Sequence, residues 1–137
     1  MTTGRCLCGA VTFAAERVEA EHHGCHCGMC RRWSGGTAFF AAQCAGVTFA
    51  GHDQLGRYAS SQWAERGFCK QCGTTLFYFL RPTQTYFMSV GAFDDPTPFR
   101  LVREIFIDRK PGGYAFAGDH ERWTEAETFA RLTPPEA

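Results

Sequence analysis

Cys69-Lys70-Gln71-Cys72-Gly73-Thr74-Thr75-Leu76-Phe77-Tyr78-Phe79 joins a metal-type turn to a strand, and its reading decides the kind of fold this chain makes. Two cysteines separated by two residues have the turn spacing of a zinc knuckle, and Gly73 can take the backbone twist that aims amide N–H groups at the sulfurs. The following run, Thr75 to Phe79, is rich in aromatic and β-branched residues and favours a strand. A thioredoxin-type redox motif shares the Cys-x-x-Cys spacing but needs a βαβ setting, which these surroundings lack. Instead Ala10-Val11-Thr12-Phe13-Ala14, Thr37-Ala38-Phe39-Phe40-Ala41, Gly46-Val47-Thr48-Phe49-Ala50, Leu55-Gly56-Arg57-Tyr58, Thr85-Tyr86-Phe87-Met88-Ser89-Val90 and Val102-Arg103-Glu104-Ile105-Phe106-Ile107 repeat the strand signal at near-regular intervals. Gly51-His52-Asp53 and Asp94-Asp95-Pro96-Thr97-Pro98 supply turns between them. The expectation is an all-β fold of paired sheets with little helix. Its best helix covers residues 124–131, where Thr124 and Glu127 have capping-box spacing, and a second short helical turn is expected after Cys30.

Seven of the eight cysteines fall into three groups. In an extended strand residues i and i+2 share a face, so Cys6 and Cys8 would offer both sulfurs to one ion while Leu7 points away. With Cys69 and Cys72 they would make a four-cysteine clasp, contributing on the order of 10 kcal/mol to folding in a metal-dependent domain. Cys25, Cys27 and Cys30 would converge on a second ion, with His26 turned away from it by strand alternation. Three thiolates leave a coordination position for water or substrate, whereas a fourth ligand closes the site into a structural one. Spacing leaves both arrangements standing, with Cys44, His22, His23 and His52 as the residues that would close it. Lone Cys44, in an apolar stretch, also reads as buried packing. The Cys-x-Cys spacing does not match common ferredoxin runs.

A chain of 137 residues, with 45% hydrophobic residues including 13 Phe, suits one domain, expected over residues 1–133 with a dispensable tail at 134–137. Lys plus Arg and Asp plus Glu number 14 each, without a long block of either sign, so nucleic acid and anionic membranes are not expected partners. No apolar run approaches the roughly 20 residues of a membrane span, and no signal-peptide stretch opens the sequence. A cytoplasmic location follows as the expectation, where thiols stay reduced and available as ligands.

Three blocks carry a resemblance: Cys6-x-Cys8-Gly9-Ala10-Val11, then Cys25-His26-Cys27-x-x-Cys30-Arg31-Arg32-Trp33-Ser34-Gly35, then Gly67-Phe68-Cys69-x-x-Cys72-Gly73-Thr74-x-Leu76-Phe77. In this order they resemble the glutathione-dependent formaldehyde-activating enzyme family, also called the GFA or CENP-V domain family. Gly91-Ala92-Phe93-Asp94-Asp95-Pro96 and Ile105-Phe106-Ile107-Asp108-Arg109-Lys110-Pro111 are similar to its carboxy-terminal motifs. The resemblance implies an Mss4-like all-β fold with two zinc ions, a structural one on Cys6, Cys8, Cys69 and Cys72 and a catalytic one on Cys25, Cys27 and Cys30. It thereby selects the four-plus-three division that spacing only permits. It also implies a carbon–sulfur lyase-type activity on a thiol–aldehyde adduct, with glutathione and formaldehyde as the named pair; the competing reading is a non-catalytic zinc module that binds a small thiol or a protein partner.

If the thiol carries carboxylates, as glutathione does, Arg31, Arg32, Arg57 and Arg66 are candidate partners because guanidinium groups pair with carboxylates bidentately. Trp33 and Phe68 are candidate pocket walls. The chain departs from the family's habit at Glu104, where histidine is common, and at Gly112-Gly113-Tyr114, where an aromatic residue usually lies nearer Pro111.

Overall fold

The computed structural model describes residues 1–132, so the expected domain end at 133 and the tail at 134–137 lie outside the described residues. In chain order the elements are β1 (Thr2–Arg5), β2 (Thr12–Val18), β3 (Glu21–Cys25), α1 (Gly28–Ser34), β4 (Phe39–Ala50), β5 (Leu55–Ala59), β6 (Ala64–Cys69), β7 (Thr75–Leu80), β8 (Thr85–Ser89), β9 (Arg100–Ile105), β10 (Glu121–Arg122) and α2 (Glu125–Leu132). The fold is all-β in character, and the described residues group into two compact units. One comprises Met1–Ala20 with Ala41–Phe99, and the other comprises Glu21–Phe40 with the chain from Arg100 onward.

In the first unit the strands pair antiparallel in the order β1-β2-β4-β8-β7-β6-β5. Its core includes Val11, Phe13, Leu76, Phe77, Met88 and Phe93. Consecutive Leu76 and Phe77 are both fully buried, so β7 is covered on both faces and reads as a continuous apolar run. The stretches expected as separate strands at 37–41 and 46–50 form the single strand β4 instead. Gly46 has φ 65°, yet the ladder with β2 keeps one register across it, from Val47↔Ala15 to Ala45↔Arg17. A glycine signals a break only where no neighbouring strand holds the chain through it.

Gly51 is a different case. Its φ is 82°, and a Cβ there would lie 1.9 Å from the Ala10 carbonyl oxygen, which belongs to backbone and cannot swing aside. Gly51→Ala is expected to cost about 2 kcal/mol or more, read as a lower urea midpoint. An unchanged midpoint would show that the turn relaxes freely.

The second unit has β9 between β3 and β10, parallel to both. Trp123 is buried between two guanidinium groups, with Arg103 4.1 Å and Arg131 4.8 Å from its ring. The expected capping box opens α2: the Thr124 amide donates to Glu127 Oε1 at 2.9 Å, and the Glu127 amide donates to Thr124 Oγ1 at 3.2 Å. The other helix starts earlier than expected, at Gly28, so Cys30 lies within it.

Candidate metal centres

In the first unit Cys6, Cys8, Cys69 and Cys72 place their sulfurs within 4.8 Å of one another. Two of the separations are 3.6 Å, between Cys6 and Cys8, and 3.8 Å, between Cys8 and Cys69. Four sulfurs at about 2.3 Å from a zinc ion define a tetrahedron with edges of about 3.8 Å. The donor set therefore fits zinc in both softness and spacing, and these separations are far beyond the roughly 2.05 Å of a disulfide.

Both cysteine pairs sit on glycine-containing turns closed by a backbone bond that spans five residues, from the Cys6 amide to the Val11 carbonyl and from the Cys69 amide to the Thr74 carbonyl, each at 3.0 Å. At the second, the Gly73 amide donates to the Cys69 carbonyl at 2.8 Å and the Cys72 amide to Cys69 Sγ at 3.4 Å. At the first, the Gly9 amide donates to the Cys6 carbonyl at 3.1 Å and the Val11 amide to Cys6 Sγ at 3.3 Å. Gly9 and Gly73 have φ of 79° and 80°, the left-handed region that favours glycine. This corrects the expectation of an extended Cys6-Leu7-Cys8 segment: β1 ends at Arg5, and the pair reaches the site by a knuckle. Thr74 links the two turns, its Oγ1 accepting from the Leu7 amide at 2.9 Å and lying 3.1 Å from Cys72 Sγ.

The thiols show what such crowding costs. Hydrogen bonding to Thr74 Oγ1, aided by amide groups, brings Cys72 down to about 5. The Ala10 amide lowers Cys8, but burial and the neighbouring sulfurs outweigh it and push the thiol up to about 11. Four sulfurs this close cannot all shed their protons cheaply unless a cation is among them.

The second unit brings Cys25, Cys27 and Cys30 together, again with all sulfurs within 4.8 Å. Cys25 ends β3, Cys27 is the N-cap of α1, and Cys30 lies in the first turn of that helix, its amide donating to Cys27 Sγ at 3.4 Å. Cys25 and Cys30 are buried, while Cys27 is partly exposed. Hydrogen bonding to Cys27 and Cys30, with burial added, raises the Cys25 thiol well above its ordinary value. A soft trio on one strand end and one helix start suits a divalent metal as the four-cysteine group does, with one ligand fewer. The group contains no histidine or carboxylate among the described residues. Cys44 belongs to the core of the first unit, where its thiol donates to the Ala42 carbonyl at 3.4 Å and burial pushes it up to about 12.

Between the first two cysteines of this trio, His26 is fully buried. Its Nε2 lies 2.6 Å from Glu104 Oε1 and its Nδ1 lies 2.9 Å from the Tyr114 hydroxyl. Glu104 is 1% exposed, and its second oxygen meets His120 Nε2 and, at 3.1 Å, Arg122 Nε. Burial would raise the Glu104 carboxyl, but hydrogen bonds from His120 and His26 overcome it and hold the group below its ordinary value. An ionised Glu104 only accepts, so His26 Nε2 carries the hydrogen; in the neutral ring Nδ1 then accepts from the Tyr114 hydroxyl. Burial pushes the Tyr114 phenol upward, with Arg31 opposing and Glu104 adding to the rise.

The arginines expected near substrate fall into two kinds. Arg31 and Arg32, both on α1, line a cleft of about 360 Å³ together with Gly28 and Gly36. Arg31 Nε donates to the His26 carbonyl at 2.9 Å, and among the described residues neither Arg31 nor Arg32 is ion-paired with a carboxylate. Arg57 and Arg66 belong to the first unit. Arg57 pairs with Glu65, donates to the Tyr86 hydroxyl at 2.8 Å and lies 4.9 Å from the Phe77 ring centre. Arg66 is buried, with its guanidinium 5.1 Å from the Tyr78 ring centre. Trp33 packs against Phe39 at 4.9 Å, and Phe68 lies on β6 opposite Gly56. Sequence reasoning did not include Glu104, Tyr114, His120 and Arg122 among site residues. Glu104 and Tyr114 are the positions where the chain departs from the family's habit.

The family model of the glutathione-dependent formaldehyde-activating enzyme matches residues 1–109, which include all seven clustered cysteines. A Schizosaccharomyces pombe protein named as an uncharacterized lyase is 35% identical over 131 residues, covering 94% of this chain and 95% of that one. The crystal structure of a Rhodobacter sphaeroides protein is similar in fold, with a TM-score of 0.58 and 23% identity, covering 89% of this chain and 99% of that chain. Family model and relative span the same cysteine-bearing sequence, and on them the chain belongs to the glutathione-dependent formaldehyde-activating enzyme family.

Proposed function

We propose that the chain is a zinc-dependent carbon–sulfur lyase acting on the adduct of an acidic thiol with an aldehyde, with glutathione and formaldehyde as the pair to test first. Family membership and the lyase name of the yeast relative support the reaction type. The observation that carries the site assignment is the three-sulfur group at the start of a helix whose next two residues, Arg31 and Arg32, line an open cleft without carboxylate partners. Two zinc ions in an Mss4-like frame, one structural and one catalytic, complete the reading.

In it Cys6, Cys8, Cys69 and Cys72 hold one ion, and Cys25, Cys27 and Cys30 hold the other. An ion on three thiolates supplies a position for a substrate atom and Lewis-acid polarisation there. The chain's own contribution is to bind and orient. Arg31 and Arg32 offer planar donor sets to the carboxylates of the thiol, and Arg31 is fixed at Nε by the His26 carbonyl, which leaves its terminal nitrogens for a ligand. The free thiols suit a reducing, cytoplasmic setting.

The test is the rate of adduct formation by zinc-loaded protein given glutathione and formaldehyde, with bound metal counted on the same sample. A rate above the uncatalysed one supports the reading; two ions with no acceleration favour the thiol- or protein-binding module instead. Changing Arg32 alone to Ala, which leaves the Arg31 bond to the His26 carbonyl in place, is expected to raise KM for glutathione about tenfold while kcat changes little, because the contact is made equally in ground and transition states. The same variant should treat 2-mercaptoethanol, a thiol without carboxylates, as the parent protein does. An equal loss for both thiols would remove Arg32 from substrate binding.

A further inference from the structure

We infer that His26 and the buried Glu104 behind it are positioning residues for the three-cysteine site, setting its metal affinity before any metal arrives. The inference rests on the metal reading of Cys25, Cys27 and Cys30. It concerns residues that reading does not use.

Every polar atom of His26 has a partner. Its amide donates to the Ile105 carbonyl at 3.1 Å, its carbonyl accepts from Arg31 Nε at 2.9 Å, Nε2 faces Glu104 at 2.6 Å and Nδ1 faces Tyr114 at 2.9 Å. The ring also stacks on Phe116, with centroids 5.9 Å apart and planes 25° apart. Because His26 is the single residue between Cys25 and Cys27, holding its backbone and ring together fixes the direction in which both neighbouring side chains leave the chain. Glu104 is held in turn by His120 and by Arg122, so the far end of the clamp cannot swing.

Packing alone does not call for this arrangement. An apolar pair of similar volume would fill the same space without burying a carboxylate, and buried ionic groups often contribute less to stability than such a pair. What the network adds over an apolar filling is direction: each bond has a donor, an acceptor and an angle. Residues that orient metal ligands from behind commonly change metal affinity by 10–100-fold when altered.

The experiment uses the full chain loaded with Co²⁺, whose thiolate charge-transfer absorption reports each site, under competition with a chelator. Glu104→Gln should weaken the three-cysteine site by 10–100-fold and shift its absorption, while the four-cysteine site keeps its affinity within twofold. Tyr114→Phe removes one of the four bonds and leaves the buried carboxylate satisfied; it should weaken the same site by about 3–10-fold. This second variant keeps the test open should Glu104→Gln fail to fold. A purely structural role predicts a lower denaturation midpoint with the affinity and spectrum of the three-cysteine site unchanged in the folded protein, and that result would overturn the inference. The readout does not pass through catalysis, so a chain inactive on glutathione and formaldehyde can still support it. A parent protein that binds only one Co²⁺ would remove the metal reading and this inference together.

Discussion

Cys69→Ala should, on the two-zinc reading proposed above, lower the zinc content of the purified protein from two ions to one and unfold the unit of β1, β2 and β4–β8. Cys69 is fully buried and tied to both halves of its site: its sulfur accepts from the Cys72 amide at 3.4 Å and lies 3.8 Å from Cys8 Sγ. Binding of a structural zinc ion is worth on the order of 10 kcal/mol, whereas a whole domain is stable by about 5–15 kcal/mol, so losing the ion removes most or all of the margin. Cys44→Ala is the matched control. It deletes a buried sulfur from the same core, but one whose partners are the Ala42 carbonyl and the Met88 backbone rather than other thiols, and should cost about 1–2 kcal/mol with both ions retained. Metal analysis with circular dichroism and thermal melting separates the outcomes. A Cys69→Ala protein that keeps two ions and its melting temperature would refute the four-cysteine site, and a Cys44→Ala protein that drops to one ion would make Cys44 a ligand.

The parts of this molecule that were legible in the sequence are those encoded by close neighbours. Thr124 and Glu127 cap α2 with reciprocal bonds because a capping box needs only four consecutive residues. The grouping of Cys25, Cys27 and Cys30 is likewise local. Neither Cys6 with Cys8 nor Cys69 with Cys72 fills a tetrahedral site alone, and their union in one group spans about half the chain, so the family resemblance carries it rather than local spacing.

What stayed hidden depends on partners distant along the chain. Glu21-His22-His23-Gly24-Cys25 has little strand character in composition, and it becomes β3 because β9 pairs with it in parallel. Side-chain alternation does not govern Cys6-Leu7-Cys8, because Gly9, at positive φ, turns the chain there. Glu104 lies 78 residues from His26 and follows Arg103, so in a strand it reads as an ordinary charged position. The available signal was the departure from the family's habit at that position. Its meaning required the buried partner.

Cys27→Ser should separate chemistry from fold more sharply than any other change in the second site. Cys27 is the N-cap of α1, and its Sγ accepts the Cys30 amide. Serine is among the best N-cap residues, so its hydroxyl can take over that bond and the helix start should shift in stability by about 1 kcal/mol or less. The unit keeps the rest of its supports, including the His26–Glu104 contact, the Trp123 packing between Arg103 and Arg131, and the Phe106–Phe129 edge contact at 5.5 Å. What serine does not replace is a soft thiolate. A neutral hydroxyl is a poor ligand beside two thiolates, so the zinc count should fall from two to one while circular dichroism and the melting curve stay close to those of the parent. If the three-cysteine site is where substrate reacts, the rate should fall by about a thousandfold or more, equivalent to roughly 4 kcal/mol of transition-state stabilisation. A folded one-zinc protein that retains the parent rate would move the chemistry away from Cys25, Cys27 and Cys30 and leave that group a structural role. Loss of the fold along with the ion would mean that the second site, like the first, holds its unit together, and the four-plus-three division would then no longer distinguish scaffold from catalyst.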